Sequence, residues 1–184
     1  MAMDLRPREM VVLGLGNPMR TDDAVGVQAV GLLANDKRLP AGVRLVEGGT
    51  LGLELLYHVE NASHLLVLDA VEANESPGTL MLFRDQALEA LPCGRSIHLL
   101  GLADLLSALR LTGRTPGDVM LLGVQPGYTG WGTELTLEVQ TAMPRLIDKA
   151  LEQLAVWQLP VVAPYAPTAA TSTTLILHGS EIIG

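Results

Sequence analysis

Five short apolar runs do most to limit what this chain can fold into. They lie at residues 10–15, 43–46, 64–70, 79–84 and 119–124, and each has the length of a buried strand. The segments between them carry helical spacing instead. Residues 24–34 and 51–59 read as helices. Leu102, Leu105, Leu106 and Leu109 form an i, i+3, i+4, i+7 stripe, with Gly113 placed to end it. A long helix is expected over 136–157, with Met143, Leu146, Ile147, Ala150, Leu151 and Leu154 on its buried face and Pro144 kinking or breaking it.

Strands alternating with helices predict a three-layer α/β/α single domain around a mostly parallel, twisted five-stranded sheet. Aromatic residues make up only 3% of the chain, so the core must be aliphatic, as buried parallel strands favour. Residues 1–9 read as a lead and 10–157 as the domain. Residues 158–184 are rich in Pro, Thr and Ala and read as a mobile extension, with Leu175-Ile176-Leu177 as the part able to dock.

Charge and cysteine usage narrow the function classes. A net charge of −8 disfavours nucleic acid and anionic membranes as partners. Cys93 is the one cysteine, so no intramolecular disulfide forms. It sits in Pro92-Cys93-Gly94 and reads as an incidental loop residue rather than a nucleophile. No apolar run reaches membrane-spanning length, and the first residues lack a signal-peptide core. The expectation is a cytoplasmic protein.

Open α/β sheets bind ligands beyond the carboxyl ends of their strands. Asn17, Arg20, Thr21, Asp22 and Asp23 follow the first strand, and Glu47 with Gly48-Gly49-Thr50 follows the second. Asp69 ends the third, and His98 precedes the Leu102 helix. Two carboxylates and an imidazole on one rim point to an open metal site for nickel, zinc, manganese or cobalt. Each residue also has an ordinary use. Asp22 or Asp23 at a helix start is more often a cap than a ligand, and Asp69 can accept bonds from a turn. His98 can be a plain loop residue, and Glu47 surface filler. Gly14-Leu15-Gly16 lacks the third glycine of a dinucleotide loop, because Met19 stands in its place. A Walker A loop, a His-Glu-x-x-His pair and a Gly-x-Ser-x-Gly elbow are all missing.

Taken in order, several segments resemble the hydrogenase maturation proteases. They are Gly14-Leu15-Gly16-Asn17-Pro18-Met19-Arg20-Thr21-Asp22-Asp23-Ala24-Val25-Gly26, Gly48-Gly49-Thr50-Leu51-Gly52, Leu68-Asp69-Ala70 and Pro77-Gly78-Thr79. His98 to Leu106, Gly123-Val124-Gln125-Pro126 and Trp131-Gly132 complete the set. The resemblance implies a phosphorylase/hydrolase-like fold and an endopeptidase. Its substrate would be the nickel-loaded precursor of a nickel–iron hydrogenase large subunit, from which it removes a C-terminal extension.

The same resemblance implies that Asp23, Asp69 and His98 contact nickel supplied by the substrate. It also implies that Glu47, Gly48, Gly49 and Thr50 meet the substrate. Asp23 stands where relatives often carry Glu, Glu47 where they usually carry Asp, and Leu99 where a polar residue is common. Two routes to hydrolysis stay open at this level: metal-assisted chemistry, or a carboxylate, Asp22 or Asp23, as general base. A monomer that docks onto a large partner is expected. The alternatives are a peptidyl-tRNA hydrolase-like enzyme, which shares the Gly-Leu-Gly-Asn-Pro opening, and a non-catalytic nickel-sensing chaperone on the same fold.

Overall fold

The computed structural model describes residues 9–84, 88, 97–159 and 174–177, with the side chains of 97–100 and 174–177 outside that description. Cys93, the 1–8 lead and residues 160–173 of the tail lie outside the described residues. Six strands form one sheet: β1 (Glu9–Leu15), β2 (Val43–Gly49), β3 (Ala62–Ala70), β4 (Leu80–Arg84), β5 (Asp118–Val124) and β6 (Thr174–Leu177). Among the described residues, the helices α1 (Val25–Leu33), α2 (Leu56–Val59), α3 (Ile97–Leu111) and α4 (Leu137–Gln158) accompany them.

The strand order is β2-β1-β3-β5-β4-β6. The four strands from β2 to β5 in that order are parallel, whereas β4 and β6 run antiparallel to their neighbours. The five expected strands are present and the sheet is mostly parallel. The sixth comes from the segment expected to be a mobile tail, and Leu175, Ile176 and Leu177 register against Leu82, Met81 and Leu80. The chain leaves β1 toward β2 on one side and later returns to place β3 on the other. The carboxyl end of β1 is therefore a topological switch point, the usual place for a site in such sheets.

Alternation along each strand sends successive side chains to opposite faces, and each face buries its own core. Met10, Val12, Leu66, Leu68, Met120 and Leu122 pack under α1 and α4. Val11, Leu13, Leu65, Val67 and Leu121 pack with Leu55, Val59, Leu102 and Leu105 on the other side, under α2 and α3. Gly26 sets how closely α1 lies on the sheet. A methyl group there would overlap the carbonyl oxygens of Leu68 and Leu15.

Two local expectations need correction. Helix α4 runs unbroken through Pro144. Proline at this position leaves the Gln140 carbonyl without its helical donor, but both residues are exposed, so water can take that bond. The stretch at 51–59 is a 3-10 turn, Leu53–Leu55, running into the single turn of α2 rather than one regular helix.

Candidate active site

The loop after β1 carries most of the polar chemistry, and its path is forced. Gly16 has φ +128°, and a methyl group on it would overlap the Asp23 carbonyl oxygen. Only glycine lets the chain double back there. The Asn17 N–H then donates to Asp23 Oδ2 at 3.0 Å, which fixes this carboxylate over the end of β1. Asp23 is half-buried, with part of its surface open to solvent.

Asp22 differs from its neighbour. It is 1% exposed. Its Oδ2 accepts the N–H groups of Gly127 at 2.8 Å and Tyr128 at 3.0 Å, and the Thr136 hydroxyl at 2.8 Å. Its Oδ1 accepts the Thr136 N–H at 2.6 Å. A buried carboxylate without partners costs several kcal/mol, and here four donors offset that cost. The negative charge also sits at the N-terminal end of α4, where the helix dipole favours it. The Thr21-Asp22-Asp23 motif was expected to cap the helix that follows it. No side chain caps the turn at Thr21–Ala24 or the start of α1, and Asp22 instead serves a helix more than a hundred residues away. Its bonds all go to the 127–136 segment, and with 1% of its surface exposed Asp22 offers little access to a water, whereas Asp23 is partly open.

Neighbouring residues tighten the same clasp. Thr21 holds φ 23°, a region that β-branched residues avoid, so its surroundings must over-determine it. Its hydroxyl donates to the Tyr128 carbonyl at 2.6 Å and its N–H to the Gly132 carbonyl at 2.8 Å. The Gly132 N–H returns a bond to the Met19 carbonyl at 3.1 Å. Arg20 Nε donates to the Thr129 carbonyl at 2.9 Å, and its guanidinium lies over the Trp131 ring, 5.7 Å from the centroid.

The neighbouring strands complete the rim. Asp69 is the penultimate residue of β3 and is 0% exposed. Its Oδ1 accepts the Ala70 N–H at 2.9 Å. Gly14 registers with Leu68, so Asp69 lies beside the point where the Asn17–Asp23 loop leaves β1. Glu47, Gly48 and Gly49 are the last residues of β2, and the expected turn closes there with the Leu51 N–H on the Gly48 carbonyl at 3.1 Å. Gly49 registers with Leu15, and its carbonyl accepts the Gly16 N–H at 2.9 Å. Glu47 and Thr50 are exposed.

His98 is the second residue of α3. Three positions on, a methyl group added to Gly101 would stand 3.1 Å from Gly52 Cα, so the start of α3 crosses the loop that follows β2. Asp23, Asp69, Glu47 and the backbone of His98 thus share the carboxyl edge of the sheet. No group of three His, Cys, Asp or Glu side chains is gathered for a metal among the described residues, and the His98 side chain is not one of those residues.

Gln125, part of a segment that carries the resemblance but given no role there, is a further member of this edge. It is buried directly after β5. Its side-chain oxygen accepts the N–H groups of Ala73 and Glu75 at 2.8 and 3.2 Å, and its amide donates to Glu72 at 2.8 Å, which fixes the loop after Asp69. The rule used for the first three strands, looking at the polar residue just past the strand end, finds it when applied to the fifth.

A single α/β/α domain with carboxylates on its switch-point edge defines an α/β protein that takes its ligand or substrate at that edge. Comparison with known proteins makes it specific. The family model for hydrogenase maturation protease matches residues 27–153. The chain is 42% identical over 147 residues to the hydrogenase 2 maturation protease of Escherichia coli K12, covering 79% of this chain and 87% of that one. It is 36% identical over 159 residues to the hydrogenase expression/formation protein HupD of Rhodobacter capsulatus, covering 85% and 76%.

Among solved structures, the hydrogenase maturating endopeptidase HybD from E. coli superposes with a TM-score of 0.78 at 39% identity, covering 82% of this chain and 94% of that one. The NiFe hydrogenase maturation protease HybD from Thermococcus kodakarensis gives 0.68 at 25% identity, covering 79% and 99%. The chain belongs to the hydrogenase maturation protease family, and with it is an endopeptidase. Membership decides against the peptidyl-tRNA hydrolase and non-catalytic chaperone alternatives. No helix among the described residues is long and apolar enough to cross a membrane.

Proposed function

We propose that this endopeptidase removes a C-terminal extension from the nickel-loaded precursor of a nickel–iron hydrogenase large subunit, and that Asp23, Asp69 and His98 contact the nickel the precursor carries. The metal is part of the substrate in this reading, not a resident cofactor. The observation that carries it is Asp69, a fully buried carboxylate at a strand end beside the half-exposed Asp23. Both acids stand on the carboxyl edge of a parallel sheet at its switch point, where such sheets bind ligands. Carboxylate oxygens with an imidazole nitrogen form a donor set suited to nickel.

The roles divide by access to solvent. Of the two adjacent acids in the first loop, Asp23 is the one open to a substrate, whereas Asp22 is committed to its four donors. In the segment Glu47, Gly48, Gly49 and Thr50, the exposed Glu47 and Thr50 are the residues a passing precursor backbone would meet. A precursor without nickel offers these residues nothing to hold, so processing waits for metal insertion. In this reading the protease works as a monomer in the cytoplasm.

The test is to replace Asp69 with Asn and, separately, His98 with Ala, then follow a nickel-loaded precursor by intact mass. Loss of a metal contact should slow shortening by more than the roughly 10- to 100-fold typical of a residue that only orients a ligand. Near-normal shortening by either variant removes that residue from the site.

A further inference from the structure

Asp22 adjoins the acid assigned to nickel, yet all its side-chain partners lie in the segment 127–136. That segment is not merely a connection between β5 and α4. It presents Trp131 at 77% exposed and Tyr128 at 59%, beside Met19 at 56% on the opposing loop. Exposed aromatic side chains are common anchors at protein interfaces. Here they stand on backbone held by a strained Thr21, a buried carboxylate with four donors and a guanidinium over the Trp131 ring. Folding alone does not require a large apolar surface to be fixed in water, but binding gains when an anchor is ordered beforehand.

We propose that Asp22 is a positioning residue. It pins the 127–136 loop to the Asn17–Asp23 loop, so that Met19, Tyr128 and Trp131 form one rigid lip on which the hydrogenase precursor docks beside Asp23. The docking half of this proposal rests on the functional reading above, and the pinning half does not. Asp22 touches neither substrate nor metal. It acts through the loop it holds. An Asn at this position turns one acceptor into a donor facing other donors, whichever way the amide is oriented.

The experiment uses the full chain in a Trp157→Phe background, which leaves Trp131 as the one tryptophan. Trp131 fluorescence anisotropy reads the loop directly, and processing of nickel-loaded precursor reads docking. Asp22→Asn should lower the anisotropy and raise KM about tenfold or more, with kcat within about twofold. Trp131→Ala should raise KM similarly, and the double variant should be no worse than either single one, because both remove the same lip.

Thr136→Val deletes one donor without touching the charge and should give an intermediate KM, whereas Thr136→Ser should restore it. Unchanged anisotropy in Asp22→Asn overturns the pinning. Effects of Asp22→Asn and Trp131→Ala that multiply, or a loss confined to kcat, overturn the lip. A parent protein that shortens no precursor overturns the functional reading and the docking half with it, and the anisotropy then decides the pinning half alone.

Discussion

Two loops flank the carboxyl end of β1, and they are built on different terms. The Asn17–Asp23 loop is locked into the 127–136 segment by bonds from Asp22, Thr21, Arg20 and Met19, most of them to backbone groups. The loop at the end of β2 is held more lightly. A Gly16 to Gly49 bond and a Leu51 to Gly48 turn fix its backbone, while Glu47, Thr50, Leu51 and Leu53 face solvent. One side of the site is rigid before any substrate arrives. The other has its chain path set but its side chains free to conform to a partner. A protease for one folded precursor can use both, since a fixed reading edge gives discrimination and an adaptable one tolerates the bulk of the substrate.

That contrast breaks most severely at Asp22. Asp22→Ala leaves three N–H groups and a hydroxyl without their acceptor and should destabilise the fold by about 3–5 kcal/mol, lowering Tm by about 10 °C. Thermal unfolding checks this, and a loss near 1 kcal/mol would mean that water replaces the carboxylate.

Gly16→Ala comes next. The added methyl has no room against the Asp23 carbonyl and imposes a side chain at φ +128°, so about 2–3 kcal/mol of stability should be lost. Processing should fall further than that loss of folded protein explains, because Asp23 is displaced. Processing rates compared at matched folded fraction decide the point.

The lightly held loop should behave in the opposite way. Glu47→Ala removes an exposed side chain and should shift stability by no more than about 0.5 kcal/mol, yet raise KM for the precursor. Unchanged KM would take this loop out of substrate contact.

The smallest effect is expected away from both loops. Arg38, hydrogen-bonded to Asp36, holds that carboxyl below its ordinary value of 3.8. A depressed folded value means that any stabilisation is present above the ordinary value and fades as pH falls through the folded one. Arg38 is exposed and Asp36 partly so, which leaves the pair open to screening, so Asp36→Asn should move Tm by less than about 2 °C at pH 7. A larger shift would show that surface pairs matter more here than the clasp comparison assumes.

Much of this was legible in the sequence, and the parts that were not share a physical reason. The five first strands, the Leu102 stripe and the buried face of α4 follow from local periodicity, which one segment carries by itself. The edge position of Asp23 and Asp69 follows from the rule that chemistry sits past strand ends. The antiparallel sense of β4 and the docking of Leu175-Ile176-Leu177 on it are set by pairing between distant segments. Asp22 is the clearest case. Local chemistry gives it the role of a cap for the next helix, and it does meet a helix start, but that of α4. That Pro144 does not break α4 depends on whether the freed carbonyl faces water, a tertiary fact.

The central claim is that this edge reads the metal inside its substrate. The most direct measurement incubates the protein with one hydrogenase large-subunit precursor in nickel-loaded and nickel-free forms and weighs both by intact mass. The account predicts that only the loaded form loses its C-terminal extension. Equal shortening of both forms would contradict it, and would reduce Asp23, Asp69 and His98 from readers of nickel to ordinary residues of a peptide-cleaving rim.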